Sequence, residues 1–228
     1  QRMPDWQPWQ SLLTDWLVRL LMQSLPLDAG GRDRIQGNVE EALVDAEPVP
    51  SDGTSSFTLA GLRQYQVEMS FMLAVQDIDL PALDAWVRQH TFSDAARPPL
   101  LPGQLNGMLK GFIDLVFEHE GRFYVLDYKS NWLGASDEAY RGGTMQAAVL
   151  AHRYELQYLF YLLALHRLLK VRLPDYDYDR HVGGALYLFL RGSGAPSRGV
   201  FAARPPRAVI EALDAAFSGQ RPLGADKP

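Results

Sequence analysis

The order of periodic segments predicts an α/β fold: a central mixed sheet flanked by helices. Three observations carry that prediction. Apolar and polar positions alternate over Tyr65 to Leu73 and Phe123 to Lys129, which marks two strands, and Gly107 to Glu118 reads as the strand preceding the second. Apolar residues recur at helical spacing from about Thr144 to Lys170, through Met145, Ala148, Val149, Leu156, Leu159, Phe160, Leu163 and Leu168. A continuous apolar run, Val182 to Leu190, then reads as a buried strand.

Taken in chain order, Pro8 to Leu25 reads as an amphipathic helix with Trp9, Leu12, Leu13, Trp16, Leu17, Leu20 and Leu21 on one broad face. Pro8 suits its first turn and Pro26 its end, and Trp9 and Trp16 are expected in core or interface packing. Ala29 to Ser56 is rich in Asp, Gly, Glu and Pro and reads mainly as loop. In the strand at Tyr65 to Leu73 the odd positions are apolar, and Glu68 lies on the other face. Asp79 to His90 reads as a short helix, followed by a proline-rich connection from Ala95 to Gly103. A turn at His119, Glu120 and Gly121 makes a hairpin of the next two strands. Gly192 to Arg198 reads as a flexible loop and Pro205 to Phe217 as a closing helix.

The hairpin concentrates the chemistry. Strand residues two apart share a face, so Asp127 and Lys129 project side by side, and the pairing can bring Asp114 next to Asp127. Two carboxylates in oxygen-only surroundings suit a hard divalent cation such as Mg²⁺. A lysine beside them can stabilise charge on a phosphate or orient an attacking water. Metal-dependent phosphodiester hydrolysis is the chemistry this suggests. Asp-x-Lys alone fits a salt bridge on a solvated strand at least as well. Against that, Asp114 lies in the apolar run Phe112, Ile113, Leu115, Val116 and Phe117, where an unpaired carboxylate is costly. The strand also exits into the turn-rich stretch Ser130 to Gly134. Gln157 and Tyr161, four apart on the long helix, share one face and fit either a packing rim or the site. Glu68 fits either a solvated strand or a water-orienting base.

These residues resemble the PD-(D/E)XK nuclease superfamily, in which an Asp and then Asp/Glu-x-Lys sit on a central hairpin. Within it, Met108 to Phe117, Leu126 to Gly134, Ala151 to Gln157, Ala164 to Arg167 and Gly183 to Gly192 look like the nuclease domain of RecB-type helicase–nucleases. The resemblance covers nearly the whole chain, most strongly Gln66 to Phe217. It implies a restriction-endonuclease-like core with Asp114, Asp127 and the Tyr128 carbonyl as metal ligands. It likewise implies Lys129 as the catalytic lysine, Glu68 as the upstream acidic residue, and Gln157 and Tyr161 as the family's glutamine–tyrosine motif. Mg²⁺ is the implied cofactor, with Mn²⁺ able to substitute and Ca²⁺ expected to bind without supporting cleavage. The implied activity is exo- and endodeoxyribonuclease cleavage in double-strand break repair and homologous recombination. The implied partners are DNA, the other subunits of the helicase–nuclease (RecC and RecD) and the RecA recombinase. An alternative implied role is docking of that recombinase, with cleavage secondary. In the family a histidine on a helix ahead of this region also binds the metal. The first histidine here is His90, so we expect a fragment beginning after that helix, binding Mg²⁺ weakly and cutting slowly alone.

Composition bounds these readings. At 228 residues and 47% hydrophobic, the chain can bury a substantial core as one domain, with residues 1–60 as helix and loop and 61–228 as nuclease core. It has no cysteine, which excludes disulfides and thiolate zinc sites and fits a cytoplasmic location. No apolar stretch reads as a membrane span or signal peptide. A net charge of −5 argues against a free-standing DNA-binding module, though Arg141, Arg153, Arg191, Arg198, Arg204 and Arg207 are candidates for phosphate contacts.

Overall fold

The structure, a computed structural model, describes residues 7–27, 55–93 and 95–223. Its centre is a five-stranded mixed sheet in the order β3-β4-β5-β6-β7. The strands are β3 (Tyr65–Asp79), β4 (Gln104–His119), β5 (Arg122–Lys129), β6 (Val182–Phe189) and β7 (Val200–Ala203). All neighbours are antiparallel except β5 and β6, which run parallel because a helical crossover joins them. The predicted α/β class with a mixed sheet is what the molecule adopts. The strand β7, four residues long, and the pair β1 (Leu25–Pro26) and β2 (Ser56–Phe57) have no periodic signal in the sequence.

One face of the sheet carries α2 (Leu80–His90), α3 (Gly142–Ala151), α4 (Tyr154–Arg172) and α6 (Arg207–Phe217) over a large core. A four-residue helix, α5 (Tyr178–His181), precedes β6. Asp79 caps α2 by accepting from the Ala82 N–H at 2.9 Å, which fixes where β3 stops and the helix starts. The opposite face has a smaller core of Leu115, Phe117, Leu126, Leu186 and Leu188, covered by α1 (Gln7–Met22), β1 and β2.

Several expectations are corrected. The helical pattern expected over Thr144 to Lys170 is two helices, broken at His152 and Arg153, where Arg153 takes a left-handed φ of 56°. The apolar rhythm persists because both helices pack on the same core, and the break is held by ion pairs of the Arg153 guanidinium rather than by a helix-breaking residue. The first helix ends at Met22, and Leu25 instead pairs with Phe57. Of its expected packing face only Leu20 is buried and Trp16 partly so, while Leu12, Leu13, Leu17 and Leu21 are exposed. The Trp9 side chain lies outside the described residues, as does nearly all of the loop expected over Ala29 to Ser56; Ser56 itself is in β2. In β3 the apolar face is partly buried at Met69 and Phe71 and fully buried only from Leu73, and Tyr65 and Val67 are exposed. The hairpin turn has two residues, since His119 already pairs with Arg122; Glu120 and Gly121 both take positive φ, and glycine adopts that conformation without strain. The loop at Gly192 to Arg198 is anchored, with Ala195 buried and Ser197 Oγ donating to the Tyr140 carbonyl at 2.6 Å.

Candidate active site

β4 and β5 pair from His119↔Arg122 to Leu115↔Leu126 and then diverge. Asp114 is the first β4 residue beyond that last pair. Its Oδ2 accepts from the Tyr128 backbone N–H at 2.9 Å, so the carboxylate ties the two strands across the fork. Regular alternation breaks here: Ile113 packs in the core under the helices, but Leu115, two residues on, packs in the core on the other face. Glu68 falls opposite Asp114, between the pairs Val67↔Leu115 and Met69↔Ile113, and takes a left-handed φ of 47°. The inversion frees Asp114 from the plane of alternation and lets it reach β5.

Asp127 and Lys129 do share a face, beneath α4, and are 5% and 6% exposed. Lys129 Nζ lies 2.7 Å from Asp127 Oδ2 and donates to Gln157 Oε1 at 2.6 Å. Asp127 Oδ1 accepts from Gln157 Nε2 and from Tyr161 OH, each at 3.2 Å, and Gln157 Nε2 also reaches Tyr161 OH at 2.8 Å. The predicted pairing of Gln157 and Tyr161 on one helical face therefore aims both at Asp127. Gly111 makes this possible. A Cβ there would fall 2.5 Å from the Phe71 ring, which instead lies over the glycine and meets Tyr161 edge-on, centroids 5.7 Å apart.

Burial pushes the Asp127 carboxyl above the usual carboxylate range, and neighbouring Asp114 adds to the rise; hydrogen bonding and charge from Lys129, and the Tyr161 hydrogen bond, do not fully offset it. Tyr161 is raised as well, by burial first and then by the charge of Asp127. An acid this poorly solvated gains from further positive charge. Among the described residues no three Asp, Glu, His or Cys side chains converge as a metal cluster. Glu68 is exposed and outside the hydrogen-bonded cluster, so it does not complete one. The donors present, two carboxylates beside a backbone carbonyl, are all oxygen and fit a hard divalent ion in kind.

Two further residues on Lys129 were not picked out by spacing. Its Nζ lies 3.7 Å from the Tyr154 ring centroid and 4.5 Å from that of Tyr187. Tyr187 sits in register with Asp127 on β6, and a buried tyrosine beside a predicted site strand is the signal that could have found it. Most of the candidate arginines are engaged elsewhere: Arg141 with Glu138, Arg153 with Asp84 and Glu155, Arg204 with the Val182 and Asp179 carbonyls, and Arg207 with Glu211 and Asp177. Arg191 is the one bonded near the site, donating to the Ser130 carbonyl at 3.0 Å.

Residues 18–222 match the model of the PD-(D/E)XK nuclease superfamily. The chain belongs to that superfamily. It is 42% identical over 214 residues to the RecBCD enzyme subunit RecB of Escherichia coli K12, a match covering 92% of this chain and 16% of that protein. It is 38% identical over 201 residues to the Haemophilus influenzae subunit of the same name, covering 86% and 16%. The Mycobacterium tuberculosis H37Rv RecB is 43% identical over 119 residues, 48% of this chain and 11% of the relative. The chain thus spans about a sixth of the length of the first two relatives.

Proposed function

We propose that this chain is the nuclease domain of a RecB-type helicase–nuclease and hydrolyses DNA phosphodiesters with Mg²⁺. The observation that carries the reading is the hydrogen-bonded set Asp127–Lys129–Gln157–Tyr161 beside Asp114, in a chain of a nuclease superfamily. Asp114, Asp127 and the Tyr128 carbonyl would hold the ion. When bound, Mg²⁺ supplies Lewis acidity at the scissile phosphate and makes a bound water more acidic. Lys129 places a fixed positive charge where phosphate charge develops. Gln157 and Tyr161 hold the Asp127 carboxylate in one orientation, and Gln157 also holds Lys129. Glu68, exposed and opposite Asp114 on β3, would be the upstream acid that orients water. Mn²⁺ is expected to substitute and Ca²⁺ to bind without cleavage.

The reading extends to a larger assembly, with DNA, RecC-like and RecD-like subunits and the RecA recombinase as partners in a cytoplasmic setting. The exposed apolar residues of α1 (Leu12, Leu13, Leu17, Val18, Leu21 and Met22) support a partner-covered surface, and no described helix is long and apolar enough to cross a membrane. Single-stranded DNA incubated with Mg²⁺, with Ca²⁺ and with EDTA tests the core of the proposal. Cleavage is expected with Mg²⁺ alone and is expected to vanish in Asp114→Asn; equal cutting in EDTA would refute it.

A further inference from the structure

We infer that Tyr154 is a positioning residue whose ring, with that of Tyr187, cages the Lys129 ammonium and holds it at the reacting centre. The inference rests on the nuclease reading only for its kinetic consequence; the cage itself is a matter of geometry.

An ammonium has three N–H groups. Two point at Asp127 Oδ2 and Gln157 Oε1, at 2.7 and 2.6 Å. The rest of its surface is turned to two aromatic faces, with centroids at 3.7 and 4.5 Å, inside the range at which a ring quadrupole attracts a cation. Lys129 is 6% exposed, so these rings replace water around the charge. Tyr187 is the fixed wall. Its hydroxyl donates to the Tyr154 carbonyl at 2.6 Å and lies 3.2 Å from Gln157 Oε1, and its ring is about 1% exposed. Tyr154 is the half-buried wall that faces the site mouth, with its hydroxyl 3.3 Å from Asn131 Oδ1 in the strand exit.

The chain goes to some length to put Tyr154 there. It is the first residue of α4, immediately after the left-handed Arg153. The Arg153 guanidinium sits 2.7 Å from Asp84 on α2 and 2.6 Å from Glu155 on α4, and donates to the Pro98 carbonyl at 2.8 Å. Those bonds fix the angle at which α4 leaves the break. The ring itself stacks on His152, centroids 5.2 Å apart, and its hydroxyl meets Asn131. A lysine on four rotatable bonds otherwise loses its place among many rotamers, so a ring that removes alternatives acts on the geometry of the charge.

The test uses chemical labelling, which needs no cleavage. The chain has four lysines, Lys110, Lys129, Lys170 and Lys227, each readable by peptide mass spectrometry after brief acetylation with acetic anhydride. Exposed Lys170 serves as the internal reference. Tyr154→Leu removes the π face and is expected to raise Lys129 labelling relative to Lys170 by about fivefold or more. Tyr154→Phe keeps the face and should restore protection to within about twofold of the parent. Where Leu lowers the melting temperature, Tyr154→Met, also without a π face, takes its place. On DNA with Mg²⁺, Tyr154→Leu should lower kcat by about tenfold with KM nearly unchanged, and Tyr154→Phe should recover most of it. Unchanged Lys129 labelling in the Leu and Met variants, or equal behaviour of Phe and Leu, overturns the cage. If the parent labels as expected but no protein cuts DNA, the nuclease reading fails and the cage stands.

Discussion

Two clusters of buried charge flank the α3–α4 break, and they are built on opposite plans. In one, Arg97 and Glu155, whose side chains are both fully buried, lie 3.5 Å apart, and Arg153 and Arg88 close around Asp84. Burial alone would raise the Asp84 carboxyl, but hydrogen bonds and charge from Arg88 and Arg153 outweigh it and hold the group below its ordinary value. In the other, one lysine faces Asp127, and burial wins, leaving that carboxyl above its ordinary value. The first cluster is saturated with positive partners; the second is short of them. A saturated network contributes shape, whereas an acid short of positive charge is poised to accept a cation. The difference separates scaffold from candidate site even though both clusters meet on α4.

The largest expected effect falls on the poised cluster. Asp127→Ala and Lys129→Ala should each reduce DNA cleavage per folded molecule by more than about a thousandfold, and each should also lower the melting temperature, because removing one charge leaves its partner buried and unpaired. Near-parent cleavage by either purified variant would erase the contrast.

How much of this could be read from residues alone differs between the clusters. Asp114, Asp127 and Lys129 were legible because a strand has a strict period of two and a short turn fixes which strands pair. Gln157 and Tyr161 were legible as a face, but not their aim at Asp127, which depends on how α4 lies on β5. The saturated cluster was invisible. Asp84, Arg97, Arg153 and Glu155 come from two helices and two connections, and nothing in their spacing marks them as neighbours. The helix break escaped for the same reason: Arg153 is an ordinary helix former, and tertiary ion pairs impose its conformation. The inversion at Asp114 and Glu68 also breaks the alternation that made the strands recognisable.

The saturated cluster should answer in stability instead. Glu155→Gln leaves Arg97 and Arg153 buried together without their shared anion, a loss of about 3–5 kcal/mol. Thermal unfolding should move down by about 10 °C. Specific activity of the folded fraction, measured well below that midpoint, should fall far less than in Asp127→Ala. A variant that lost activity at full stability would place Glu155 in the site. Gln157→Ala should lie between the two, slowing cleavage by about tenfold with only a small change in melting temperature. A large melting shift with unchanged specific activity would assign Gln157 to packing.

The smallest effect sharpens the comparison with a third solution to burial, a group kept neutral. His166 on α4 is 2% exposed, its Nδ1 is 2.8 Å from Tyr176 OH, and its Nε2 is 3.9 Å from Asp214 Oδ2. Burial lowers its pKa below the ordinary 6.5, and the Asp214 charge only partly opposes this. The sign follows from proton binding. Between 6.5 and the lower folded value the unfolded chain holds more protons at this position, so stability falls as pH drops through that window and is fully present above it. His166→Gln, which cannot titrate, should unfold with a shallower dependence on pH between about 7 and 5. Denaturant melts of both proteins at several pH values across that range measure the difference in slope. Parallel slopes would mean that the buried imidazole is protonated as readily in the folded protein as in the unfolded chain, and that Asp214 pairs with it as Arg88 and Arg153 pair with Asp84.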